Sequence, residues 1–158
     1  VPIALWLTRQ IEKKKGDRYR SKLLQKLALG PFERVGERGF SNSWLCCNQE
    51  VVEEYNQNPL CGFNYTVNGY QNLFNLLKET YSSKGWSCKK PDLPIYFVAG
   101  AADPVIRSPK AWQKAQSFMR KLGYTRVEGK LFDGLRHEIL NELDRSPIFS
   151  DLLKWMMS

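Results

Sequence analysis

The chain has 158 residues, 42% hydrophobic and 13% aromatic, enough apolar material for a buried core and too much for a disordered chain. Its 24 Lys and Arg against 16 Asp and Glu give a formal charge of +8, which permits an anionic partner. The densest basic run (Lys13, Lys14, Lys15, Arg18, Arg20, Lys22) has no RNA-binding signature or zinc-finger spacing around it, so a solvated helix face is expected and no nucleic-acid partner. Cys46, Cys47, Cys61 and Cys88 form no CxxC and have no histidine at metal-ligand spacing, which argues against zinc. Neither a signal-peptide pattern nor an apolar run of roughly 18 residues occurs, so the default setting is cytoplasmic. The chain opens at Val1 rather than Met, straight into an apolar run, and the missing targeting signal therefore carries little weight.

Residues 1–82 read as helices and loops. Ile3, Trp6, Leu7 and Ile11 share one helical face, and Tyr19, Leu23, Leu24 and Leu27 another, with Gly16 and the Gly30-Pro31 pair as punctuation. A third helix is expected near Gln49–Asn56 with Val51, Val52 and Tyr55 inward, ended by Pro59. For the fourth, Thr66 is the N-cap and Tyr70, Leu73, Phe74 and Leu77 recur at helical spacing up to Ser82-Ser83.

After residue 91 the pattern changes. Ile95, Tyr96, Phe97, Val98 and Ala99 form a near-continuous apolar run closed by Gly100, the signature of a parallel strand buried on both faces. Ser108-Pro109 opens a helix with Trp112, Ala115, Phe118, Met119 and Leu122 on one side and Gly123 at its end. Residues 126–132 alternate as a second strand, and Ser146-Pro147 starts a last helix through Ile148, Leu152, Leu153 and Trp155. Strand, helix, strand, helix is the unit of a parallel α/β sheet. Two such strands cannot bury themselves with two helices, and residues 1–82 offer no further strand. The expectation is an incomplete sheet, completed by more of the same protein or by a separate polypeptide.

Reacting groups in open parallel sheets gather beyond the carboxyl ends of the strands. Asp103 follows the first strand in Gly100-Ala101-Ala102-Asp103-Pro104-Val105, and His137 follows the second in Gly134-Leu135-Arg136-His137-Glu138. Alone, Asp103 is a turn former and His137 a loop histidine. Together, in Asp-then-His order after consecutive strands, they match a carboxylate that fixes an imidazole tautomer and stabilises the imidazolium.

These two loops, Ala99-Gly100-Ala101-Ala102-Asp103-Pro104-Val105 and Gly134-Leu135-Arg136-His137-Glu138-Ile139-Leu140-Asn141-Glu142, resemble the acid and histidine loops of the lysophospholipase and monoacylglycerol-lipase-like, or serine aminopeptidase-like, α/β-hydrolases. Asn58-Pro59-Leu60-Cys61-Gly62-Phe63 resembles the end of that group's helical cap, with Asn58 where relatives commonly have Asp. The resemblance implies a cap over residues 1–85 and, over residues 86–158, the last two strands and helices of the hydrolase core. It further implies Asp103 as triad acid, His137 as general base, a small ester or lipid substrate and no cofactor. The nucleophile does not carry over. Gly39-Phe40-Ser41-Asn42-Ser43 lacks the second glycine of GxSxG and a preceding strand, so the serine is expected in an N-terminal half of the same hydrolase, and this chain alone is expected to be inactive.

Arg136 and Glu138 read as solvated charges without a role. Trp44, Leu45, Tyr55, Leu60 and Phe63 read mostly as cap core rather than an acyl-binding wall, and Cys46, Cys47 and Cys61 as buried thiols. The competing function is a non-catalytic hydrolase-fold binding domain that uses the basic N-terminal helices for nucleic acid or an anionic membrane. A further alternative is a hydrolase whose missing half has lost its serine.

Overall fold

The computed structural model describes residues 1–158. In chain order it contains α1 (Pro2–Lys15), α2 (Lys22–Glu33), α3 (Gln49–Gln57), α4 (Val67–Thr80), β1 (Ile95–Gly100), α5 (Pro109–Lys121), β2 (Val127–Phe132) and α6 (Ser146–Met156), with short 3-10 turns at Pro104–Ile106 and Ile139–Asn141. No helix is long and apolar enough to cross a membrane. The helix starts follow local chemistry: the side chains of Asn48, Thr66 and Ser108 accept the backbone N–H groups of Glu50, Gly69 and Ala111. One expected break is absent. α2 runs through Gly30 and Pro31 to Glu33, because a proline in the last turn forfeits one backbone hydrogen bond and nothing further follows for it to disrupt.

The chain divides into two compact units, Val1–Pro31 with Gly62–Trp86, and Phe32–Cys61 with Ser87–Ser158. In the first, Leu24, Val67 and Tyr70 form the core, with Leu7, Ile11, Ala28 and Phe74 packed against it. The backbone between α1 and α2 starts α4, since Tyr19 and Asp17 carbonyls accept the N–H groups of Val67 and Asn68 at 2.8 and 3.0 Å. The apolar faces read from spacing are only partly buried here. Leu5 and Thr8 are the buried positions of α1, whereas Ile3 and Trp6 are 81% and 60% exposed, because the α1 surface that meets the core is rotated away from them. Tyr19, Leu23, Leu27, Leu73 and Leu77 are also exposed.

In the second unit β1 and β2 pair in parallel, with Ile95 opposite Val127 and Gly100 opposite Phe132. They form a two-stranded sheet. The strands are less buried than their composition predicts: Ile95 to Val98 are half-buried, and Glu128, Gly129 and Lys130 are exposed. Two strands and two helices leave sheet surface uncovered, as the patterning required. The helices on the sheet are pinned by mixed contacts. Gln116 is the buried residue of α5 and lies over Gly129, while Arg120 Nη2 donates to the Val127 carbonyl at 2.6 Å. On α6, Ile148 is buried, Trp155 stacks on Tyr96, and Asp151 accepts the Tyr96 hydroxyl at 2.7 Å and pairs with Lys130. Burial and that carboxylate push the Tyr96 phenol up to about 12.

Beyond the strands the two loops are laced together. The Phe132 carbonyl accepts the Ala101 N–H at 2.8 Å and the Leu135 carbonyl accepts the Ala102 N–H at 2.9 Å. A methyl group on Gly100 would lie 2.1 Å from the Leu135 oxygen and 2.2 Å from the Arg136 oxygen. Neither is the end of a flexible side chain, so the backbone itself would have to move. Gly100→Ala is expected to destabilise the fold by about 1–3 kcal/mol or more, read as a lower urea midpoint. An unchanged midpoint would mean that the loops do not approach this closely.

Candidate active site

Asp103 is 7% exposed and its two carboxylate oxygens have different tasks. Oδ1 accepts the Val105 N–H at 2.8 Å and so caps the turn at Pro104–Ile106. Oδ2 lies 3.0 Å from His137 Nδ1. The first bond fixes the carboxylate plane, and the second fixes the imidazole, with Nδ1–H donating and Nε2 left to take a proton from a reacting group. The hydrogen bond from Asp103 raises the His137 pKa, burial pulls it the other way, and the charges of Asp103 and Glu138 add to the rise. The pair expected from the sequence is therefore within hydrogen-bonding distance, at the carboxyl ends of adjacent parallel strands.

The Trp44 indole is the aromatic neighbour of the imidazole, ring centroids 5.4 Å apart. Trp44 is held in a small core of Trp44, Leu45, Cys46 and Val52, with Phe32, Phe40, Val51 and Tyr55 against it, and its Nε1–H donates to Glu33 at 3.0 Å. Of the other residues weighed as cap core, Leu60 and Phe63 are 80% and 50% exposed. Neither has the burial expected of it, because Leu60 lies in the turn after α3 and Phe63 in the irregular stretch before α4, and neither is on a helix face.

Two residues were missed by sequence reasoning. Arg136 is not a solvated charge: its side chain is 18% exposed, and Nη1 donates to the carbonyls of Ser43 at 2.5 Å and Cys46 at 3.2 Å, while Nη2 meets Glu37 at 3.1 Å. Glu142 is 3% exposed and accepts the Arg136 N–H with Oε1 and the Cys47 N–H with Oε2, each at 2.9 Å. No periodicity marks either, since apart from the Arg136–Glu142 bond itself their partners lie ninety residues or more away in the chain. Glu138 donates its own N–H to the Leu45 carbonyl at 2.7 Å.

The remaining candidates are accounted for. Ser43 is buried, its Oγ accepting the Glu37 N–H at 2.6 Å, so it is committed to a turn. Cys46 is buried, whereas Cys47 and Cys61 are only partly so. Burial pushes the Cys46 thiol up to about 11 and the Cys47 thiol upward, away from the thiolate that a nucleophile needs.

The fold is shared with solved hydrolases. A carboxyl esterase from Bacillus coagulans superposes with a TM-score of 0.76 at 18% identity, over 98% of this chain and 51% of that one. A lipase in an open form gives 0.77 at 22% identity, over 94% and 49%. A monoglyceride lipase from Saccharomyces cerevisiae gives 0.53 at 20% identity, over 92% and 50%. The chain thus spans about half the length of the solved structures it matches. No curated protein matches it significantly. Residues 5–144 match the family model described as Serine aminopeptidase, S33, and with two parallel strands, crossover helix and paired strand-end loops in place, the chain belongs to that family of α/β-hydrolases.

Proposed function

We propose that this chain supplies the acid and the base of a serine ester hydrolase, Asp103 as triad acid and His137 as general base and then general acid. The observation that carries the reading is the 3.0 Å contact between Asp103 Oδ2 and His137 Nδ1, between loops that follow neighbouring parallel strands. The nucleophilic serine and the oxyanion-hole N–H groups belong, in this reading, to an N-terminal half of the same hydrolase that partners this chain. Residues 1–85 would form its cap and residues 86–158 the C-terminal part of its core. The substrate class is a carboxylic ester, of the monoacylglycerol or lysophospholipid kind. Support for an ester comes from the structural relatives, whose names are those of esterases and lipases.

In the reaction so proposed, His137 Nε2 takes the serine hydroxyl proton as the oxygen attacks the ester carbonyl. The imidazolium formed is held by Asp103, and its proton passes to the departing alcohol as the acyl-serine forms. Water then repeats the sequence with His137 again as base, releasing the acid. Through both steps Asp103 holds the imidazole by its Nδ1–H.

A second reading, binding to an anionic membrane through the N-terminal helices, is favoured by one observation. The first unit holds ten Lys and Arg against three Asp and Glu, and every one of those cations is exposed. Binding to vesicles containing anionic lipid would then fall steeply with salt, and salt-independent or absent binding in sedimentation assays removes this reading.

Two measurements test the hydrolase reading. When the purified protein is treated with a fluorophosphonate probe and its mass is taken under denaturing conditions, the label is expected on sequence outside these residues, and none on Ser43 or any cysteine here. A label within this chain, or none on the active protein, overturns the assignment. Because the His137 pKa is raised on folding, the pair's contribution to stability is complete below the ordinary imidazole value near 6.5 and fades as pH rises through the folded value. Asn at position 103 keeps an oxygen for the Val105 N–H. Asp103→Asn is therefore expected to cost more stability at about pH 5.5 than at about pH 9, and urea titrations showing an equal cost at both would contradict the pairing.

A further inference from the structure

The backbone on both sides of His137 is tied to the segment from Glu37 to Cys47. On one side, Arg136 gives its N–H to the buried Glu142 carboxylate, whose other oxygen takes the Cys47 N–H. The Arg136 guanidinium reaches the Ser43 and Cys46 carbonyls and Glu37. On the other side, the Glu138 N–H meets the Leu45 carbonyl. The same segment carries Trp44, the ring beside the imidazole. These residues all lie in the second compact unit.

We propose that Glu142 and Arg136 are positioning residues for the base: they clasp the histidine loop to the Glu37–Cys47 segment, so that one rigid body holds both the His137 backbone and the indole against which its ring rests. The inference rests on the reading of His137 as general base. Its physical ground is where the bonds fall. Three separate anchors converge on positions 136 and 138, one on each side of His137. A buried carboxylate accepting two N–H groups is a stiff joint, since each bond is charge-assisted and neither oxygen has water to exchange with. The guanidinium adds a planar fork that a lysine cannot reproduce. Gly100 closes the opposite side, admitting the Leu135 and Arg136 carbonyls against β1. The loop is thus held between β1 and the Trp44 segment, and a shift of that segment would carry the imidazole with it.

His137 is the chain's single histidine, so its ring C–H signals in a proton–carbon NMR spectrum are assigned without ambiguity. Glu142→Gln keeps an acceptor for one N–H and sets an amide NH2 against the other. Arg136→Lys keeps the charge and loses the fork. In each, the His137 titration midpoint is expected to fall from its raised position toward the ordinary imidazole value. The displacement of the ring protons by the Trp44 ring current is expected to shrink, while the far-ultraviolet circular dichroism stays unchanged. Asp103→Asn is the reference, losing the raised midpoint with the clasp intact. Folded variants whose midpoint and ring-proton shifts match the parent overturn the positioning role. So does loss of fold in both variants, which would make the clasp structural alone. A parent midpoint at the ordinary value would instead strike at the Asp103–His137 pairing, and so at the hydrolase reading itself.

Discussion

The second unit depends on one close approach, that of the Leu135 and Arg136 carbonyls to the α-carbon of Gly100. Parallel strands set their ends a fixed spacing apart, about 4.8 Å, and loops leaving two such ends diverge unless something draws them together. Here the first loop supplies a residue without a side chain where the second must pass. The N–H groups of Ala101 and Ala102 then bond to carbonyls of the second strand and loop. Once the loops are in register, Asp103 and His137 have little choice of distance. The short contact between them follows from backbone packing, and the side chains need only complete it.

That packing also gives position 103 a structural task. In the turn at Pro104–Ile106, Asp103 is first an N-cap, and its Oδ1 would serve the fold with no chemistry nearby. The cap consumes one oxygen and orients the other. The geometry of the pair thus builds on ordinary turn chemistry, and an amide at this position would satisfy the turn while losing the charge that faces the imidazole.

Much of the fold was legible in the sequence because local rules and tertiary packing agree there. Thr66, Ser108 and the Pro109 that follows cap helices as their chemistry dictates, and Ile95–Gly100 is a strand because a short apolar run bounded by turns has few other uses. The Asp103–His137 pair was legible for a related reason, since both residues lie directly after strands whose parallel order was readable. Burial was less so. Ile3, Trp6, Leu23 and Leu27 recur at the spacing of a helix core and yet are exposed, because periodicity reports that a face is apolar without naming what covers it. Arg136 and Glu142 were illegible outright. Apart from the Arg136–Glu142 bond and the Glu37 carboxylate, their partners are the carbonyls and N–H groups of residues 43 to 47, and a backbone donor or acceptor has no letter in the sequence.

The distribution of these contacts bears on how a hydrolase of this kind divides its labour. Every element that shapes the Asp103–His137 pair lies in residues 32–61 and 87–158: the two strands, the capped turn, the histidine loop, Trp44 and the clasp. None of these contacts calls on a nucleophile or an oxyanion hole. A base whose tautomer and ring plane are fixed before the substrate arrives has no reorganisation left to make in the transition state, which is where preorganised dipoles act most strongly. On the reading proposed above, the acid and the base would be held by packing within this unit, by the buried Glu142 as well as by the Asp103 that touches the imidazole.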